Sequence, residues 1–151
     1  MKILCDQMLG SLATWLRFFG CDTFFATDQL SDDDLLKIAK DENRILITKD
    51  KELINRAKKR DVTVIPIQSL DLDQQLMMVT SMKSFDKDHV LTRCSLCNSL
   101  LDSIGKEDIK DKVPGKIYQY HDKFWFCSKC QKIYWKGSHY DNILKKIKAL
   151  K

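Results

Sequence analysis

Apolar residues change period again and again along the first half of the chain. Ile3-Leu4-Cys5 is a short continuous run, which reads as a buried strand. Met8, Leu12, Trp15, Leu16 and Phe19 then recur at helical spacing, and Gly20 is a natural stop. A short strand is expected over 23–26. Ser31 followed by Asp34 has the form of a capping box, ahead of Leu35, Leu36 and Ala39 on one helix face. Ile45-Leu46-Ile47 predicts a second buried strand, and Leu53, Ile54 and Ala57 a helix over about 51–60. Residues 62–67 predict a further strand, and Leu72, Leu76, Met77 and Val79 a further helix. Strands and helices thus alternate over 2–83, the signature of an α/β fold with a mostly parallel sheet covered on both faces.

The alternation breaks around Ser84-Phe85-Asp86-Lys87-Asp88-His89. Beyond it lie two C-x-x-C pairs, Cys94/Cys97 and Cys127/Cys130. Alternating apolar residues between Val113 and Phe126 suggest hairpin strands that bring the pairs together. Ile143, Leu144, Ile147 and Leu150 against Lys145, Lys146 and Lys148 predict a basic amphipathic helix at the end. The expected division is an α/β domain over 1–84, a cysteine-bearing module over 90–140 and the helix over 141–151.

Charge sharpens that division. Residues 1–82 carry 11 Lys+Arg against 13 Asp+Glu, a net −2; residues 83–151 carry 15 against 8, a net +7. A basic module beside an acidic one points to a polyanionic partner. No apolar run reaches the ~20 residues of a membrane span, and the first residues lack a signal-peptide core. The expectation is a soluble intracellular protein, cytoplasmic or nuclear, in which six cysteines serve metal binding before disulfides.

Acids fall where such a sheet builds sites. Asp6 follows the first strand and Asp50 the strand 45–48, while Asp32, Asp33 and Asp34 open the intervening helix. All lie on the edge formed by the carboxyl ends of the strands. Converging carboxylates repel unless a cation neutralises them, and Mg²⁺ or Mn²⁺ takes such oxygen ligands together with phosphate. The alternative is that these acids only cap helices. A receiver domain of two-component signalling fits less well, because Cys5 precedes Asp6 and Gln68-Ser69, not a lysine, follow the strand 62–67.

The cysteine quartet reads as a closed Zn²⁺–thiolate site, structural rather than catalytic. Cys5 and Cys21 are expected to be buried free thiols. His139 is read first as a packing or hydrogen-bonding residue, with a phosphate contact as the alternative. Lysines and aromatics interleave from Lys116 to Lys136, a composition suited to neutralising phosphates and stacking bases. Phe124, Phe126 and Tyr134 are expected in the module's own core.

These pieces together resemble the Mut-seven C-terminal RNase domain family, a PIN-like nuclease fold with an appended zinc ribbon. The matching stretches are Leu4-Cys5-Asp6-Gln7-Met8-Leu9-Gly10, Asp32 to Ala39, Arg44-Ile45-Leu46-Ile47-Thr48-Lys49-Asp50, both cysteine pairs, and Tyr134-Trp135-Lys136-Gly137-Ser138-His139-Tyr140. The resemblance implies a PIN-like three-layer α/β/α sandwich, ribonuclease activity on RNA, and Mg²⁺ or Mn²⁺ held by Asp6, Asp32 and Asp50, with Asp33 as a substitute for Asp32. Zinc falls to Cys94, Cys97, Cys127 and Cys130. The expected RNA contacts are Lys49, Lys123, Lys129, Lys136 and His139, with single-stranded RNA the expected substrate and a protein partner also entertained. One departure stands out: many PIN nucleases carry a further acid early in the fold, and only Asp22 and Asp28 are available here. The alternative function is a non-catalytic RNA-binding or protein-docking module with a degenerate site.

Overall fold

Short apolar strands cannot bury both faces alone, so they require partners on either side and helices above and below. In the computed structural model, which describes residues 1–151, β1 (Lys2–Cys5), β2 (Asp22–Phe25), β3 (Ile45–Thr48) and β4 (Val64–Pro66) form one parallel sheet in the order β2-β1-β3-β4. The helices between and after them are α1 (Gly10–Phe18), entered through a 3₁₀ turn at Gln7–Leu9, then α2 (Asp32–Asp41), α3 (Lys51–Lys59) and α4 (Leu72–Thr80). β4 is shorter than the 62–67 expected. The Leu46 N–H still donates to the Thr63 carbonyl and the Ile67 N–H to the Thr48 carbonyl, so the ladder runs on past both ends.

Alternation along each strand sorts the core into two layers. Leu4 and Leu46 face α2 and α3, where they meet Leu35, Leu36, Ala39, Leu53 and Ala57. Ile3, Cys5, Ile47 and Ile65 face the other way, toward Leu12, Leu16, Phe19, Leu76 and Val79. Both leftover thiols, Cys5 and Cys21, are buried on this second side.

α1 ends as a Schellman motif. The Gly20 N–H bonds the Arg17 carbonyl and the Cys21 N–H the Leu16 carbonyl, both at 2.9 Å. Gly20 has φ +83°, and a Cβ there would stand 2.1 Å from the His89 carbonyl oxygen, so this glycine admits both the turn and the close passage of residue 89.

The second half builds a smaller antiparallel sheet. β5 (Asp102–Ile104) is followed by α5 (Gly115–Tyr120), then β6 (Phe124–Phe126) and β7 (Ile133–Tyr134), in the order β5-β6-β7. The hairpin expected over 113–126 is therefore corrected: only its last three residues are strand. Val113 and Ile117 stand four apart, which suits a helix turn as well as an alternation, and the chain turns helical directly after Pro114. Phe124 and Tyr134 are buried and Phe126 half-buried. The last helix, α6 (Ser138–Ala149), begins three residues earlier than expected.

The two sheets share one apolar core. Cys94, Cys127, Tyr134, Ile143 and Ile147 belong to the same packed cluster as Leu12, Phe19 and Leu76. The junction is also hydrogen-bonded. β2 is an edge strand, and its outward groups at Thr23 are taken up by side chains: the N–H donates to Asn98 Oδ1 (2.9 Å) and the carbonyl accepts from Arg17 Nε (2.9 Å). Arg17 is buried, and its Nη1 donates to the carbonyls of Ser95 and Leu96 at 3.1 Å each. The first cysteine pair is thus docked where an unpaired edge would otherwise be open.

Candidate functional site

From β1 the chain moves outward to β2, then crosses back to β3 on β1's other side, so the direction of sheet growth reverses between β1 and β3. The carboxyl ends of strands at such a reversal border a crevice suited to ligands. Asp6 leaves β1 and Asp50 follows β3 by two residues, one on each side of that point. The Asp6 N–H donates to the Ile47 carbonyl at 3.1 Å.

Between them stands Thr48, fully buried. Its hydroxyl donates to Asp6 Oδ2 at 2.8 Å and accepts the Asp50 N–H at 3.1 Å. The sequence gives only a weak signal for this residue: a polar side chain closing an apolar strand. Asp6 Oδ1 accepts from the Gln7 N–H (2.7 Å), and Asp50 Oδ1 accepts from Glu52 N (2.8 Å) and Leu53 N (3.1 Å), capping α3. Asp50 Oδ2 takes part in none of the protein's hydrogen bonds and is open to solvent or a ligand. Capping and site-building coexist here, since one oxygen serves the helix and the other does not.

The acids of α2 have other partners. Asp32 Oδ2 faces Arg56 Nη1 at 3.4 Å, and Asp33 pairs with both Arg56 and Arg60. Asp34 closes the expected capping box with Ser31. Asp6 and Asp50 are tied through Thr48, whereas Asp32 is tied to Arg56, and the three carboxylates do not form a close group of the kind the cysteines make. Neither the Thr48 bridge nor the Arg56 pairing follows from the sequence pattern. Of the two spare acids, Asp22 heads β2 at the opposite, amino edge, bonded by Arg44 (2.8 Å) and Asn98 (2.8 Å). Burial works to raise its pKa, but these bonds and the nearby Arg93 outweigh it and hold the carboxyl below the usual range. Asp28 is exposed in the loop before α2.

The thiols of Cys94, Cys97, Cys127 and Cys130 do converge, with all four sulfurs within 4.8 Å of one another. Tetrahedral Zn–S bonds of about 2.3 Å place sulfurs about 3.8 Å apart, so the donor set suits that ion in kind and spacing. Each pair ends on a left-handed residue, Asn98 (φ 71°) and Gln131 (φ 60°), whose N–H bonds back to Cys94 and Cys127. Burial tends to raise the Cys97 thiol, yet bonds from Ser99 prevail and bring it to about 6. Its bond with Cys97 pushes Cys130 up to about 12. Tyr134 Oη lies 3.2 Å from Cys94 Sγ and ties the second strand pair to the first knuckle.

The expected RNA contacts are dispersed. Lys49 is half-buried beside Asp50, and Lys123 and Lys129 are exposed on the ribbon. Lys136 stands over two aromatic rings, and His139 is exposed but packs edge-on against Phe18, with ring centroids 4.7 Å apart.

A family model described as the Mut7-C RNAse domain matches residues 1–147, sheet and ribbon together. The chain belongs to the Mut7-C RNAse domain family. Comparison with curated proteins and with solved structures gives no match. Within the Mut7-C RNAse domain, the cysteine quartet is the group of side chains close enough together to hold a metal ion. No helix of the domain is long and apolar enough to cross a membrane.

Proposed function

We propose that this chain hydrolyses RNA phosphodiester bonds with Mg²⁺ or Mn²⁺ bound in the β1/β3 crevice, and that the zinc ribbon helps to hold the RNA. In this reading residues 1–84 carry the chemistry, while 90–140 and the basic helix 141–151 carry the substrate. The observation behind it is the Thr48 hydroxyl, which fixes the Asp6 carboxylate and the Asp50 backbone at a topological switch point. Mg²⁺ is commonly held by one or two carboxylates plus substrate phosphates, and Asp6 and Asp50 supply that number. Asp32 is the third acid of the proposal.

A bound divalent cation would lower the pKa of a water and neutralise charge in an in-line displacement. The chain's own residues do the rest. Thr48 orients Asp6, the α3 cap leaves Asp50 Oδ2 free, and Lys49 offers a positive charge beside Asp50 to a phosphate. Cys94, Cys97, Cys127 and Cys130 would hold zinc and fix the ribbon. Single-stranded RNA is the proposed substrate, since the interleaved lysines and aromatics of the ribbon suit an unpaired strand.

The test is cleavage of labelled single-stranded RNA by zinc-loaded protein with Mn²⁺, with Mg²⁺ or with neither, run beside Asp50→Asn. Asparagine caps a helix as well as aspartate does, so this variant removes a charge and keeps the fold. Cleavage that needs the cation and vanishes in Asp50→Asn supports the proposal; cleavage unchanged in that variant overturns it. A second reading, binding of RNA or protein without cleavage, is favoured by one observation: Arg56 and Arg60 already neutralise Asp32 and Asp33. RNA that is bound and never cut, whichever cation is added, would establish it.

A further inference from the structure

A cleft of about 560 Å³ lies where the linker after α4, the ribbon and α6 meet. Trp125 of β6 and Tyr140 of α6 line it, with Lys136 between them and Lys87 and Asp88 on the linker wall. The Lys136 ammonium is 5.6 Å from the Trp125 ring centre and 5.1 Å from that of Tyr140. Of the other ring-stacked lysines, Lys106 over Tyr118 pairs with Asp122 and Lys146 over Trp15 pairs with Asp73, while Lys132, over the buried Tyr134 ring and likewise without an ion pair, lies outside this cleft. Lys136 takes part in no ion pair and is held by ring faces alone.

Two half-buried rings, a cation without a carboxylate and a cleft of nucleotide size make a matched set. Every nucleobase has a face that stacks on an aromatic side chain, and its phosphate seeks an ammonium. We propose that this cleft takes one nucleotide of a single-stranded RNA, its base on the Trp125 and Tyr140 rings and its phosphate on Lys136. The inference rests on the reading of this chain as an RNA-handling protein and gives the ribbon's contribution a place. On binding, the ammonium leaves the ring faces for the phosphate and the base takes the vacated surface. Asp88 offers an acceptor to an exocyclic amino group, so amino-bearing bases are preferred over uracil.

The test is fluorescence anisotropy of a labelled single-stranded RNA of about twelve nucleotides. It uses the whole zinc-loaded chain without added Mg²⁺ or Mn²⁺, so that binding is read apart from cleavage. Base–aromatic stacking predicts that Trp125→Leu and Tyr140→Leu each weaken binding about five- to hundredfold. Lys136→Gln should weaken it and flatten its salt dependence, and Lys59→Gln, at the exposed C-terminal end of α3, should leave it within about twofold. Should Trp125→Leu fail to fold, Tyr140→Leu and Lys136→Gln decide the matter. Unchanged affinity in the ring variants, or equal losses in Lys136→Gln and Lys59→Gln with none in the ring variants, overturns the cleft while leaving the RNA reading intact. An unsubstituted protein that binds no RNA overturns both.

Discussion

Replacing Arg17 by methionine, a side chain of similar reach without the guanidinium, tests how the ribbon is held on the sheet. Arg17 is buried and donates three hydrogen bonds, one to Thr23 O on the edge of β2 and two to Ser95 O and Leu96 O in the first knuckle. Hydrogen bonds from a charged donor contribute about 1.5–3 kcal/mol each, a gross sum of roughly 4–9 kcal/mol. Against this stands the desolvation of the guanidinium, whose pKa is lowered by burial and only partly restored by the neighbouring thiols and Asp22. The net loss should be about 3 kcal/mol, a large share of the 5–15 kcal/mol typical of a folded domain. The assay is urea unfolding of the zinc-loaded protein, read by tryptophan fluorescence, with zinc release followed by a chromophoric chelator. Arg17→Met should unfold at lower urea and release zinc faster, because its lost partners are knuckle carbonyls. A stability loss below about 1 kcal/mol with unchanged zinc release would refute the reasoning, showing that the shared apolar core alone joins the two halves.

Three further outcomes are expected. Removing zinc should abolish the near-ultraviolet circular dichroism contributed by Trp125 and Trp135, since four thiolates cannot stay within 4.8 Å of one another without a cation; an unchanged spectrum after complete removal would exclude a structural ion. Asp22 has a depressed folded pKa, so its stabilisation is present above the unfolded value of about 3.9 and fades as pH falls through the lower folded value. Wild type and Asp22→Asn should then converge in stability below about pH 4, and a constant gap from pH 3 to 7 would contradict this. Gly20→Ala should cost more than about 2 kcal/mol in thermal or chemical unfolding, from left-handed backbone strain and from the 2.1 Å approach to His89 O; a loss under 1 kcal/mol would mean that the linker near residue 89 yields freely.

Much of the α/β half was legible because its determinants are local. The step from run to helical spacing at Ile3-Leu4-Cys5 and Met8 to Phe19, the stop at Gly20 and the box at Ser31 and Asp34 each depend on residues within a few positions. The cysteine pairs announce themselves by spacing, and their convergence followed. The segment 113–120 resists a sequence reading because eight residues admit both periods, and nothing local decides between them. Long-range pairings were out of reach. Arg56 meets Asp32 across 24 residues, and Asn98 meets Thr23 across 75. No pattern in the chain marks such partners, although the acids themselves stood out at the strand ends. Thr48 was the one central side chain of the crevice hidden in plain view, at the end of the stretch that organises the sheet.

The packing of α6 on the early helices sets an order of events during synthesis. α1 and its C-cap present Leu12, Leu16 and Phe19 to a core that includes Ile143 and Ile147, so part of its cover is made of residues added more than a hundred positions later. At about 5–20 residues per second, the nascent chain carries that apolar surface uncovered for on the order of ten seconds. The ribosome-bound intermediate is therefore a natural client for holding chaperones. A premature stop after α4 would leave it in that condition permanently, with Leu16 and Phe19 bare and the outer edge of β2 open to pairing with a neighbour.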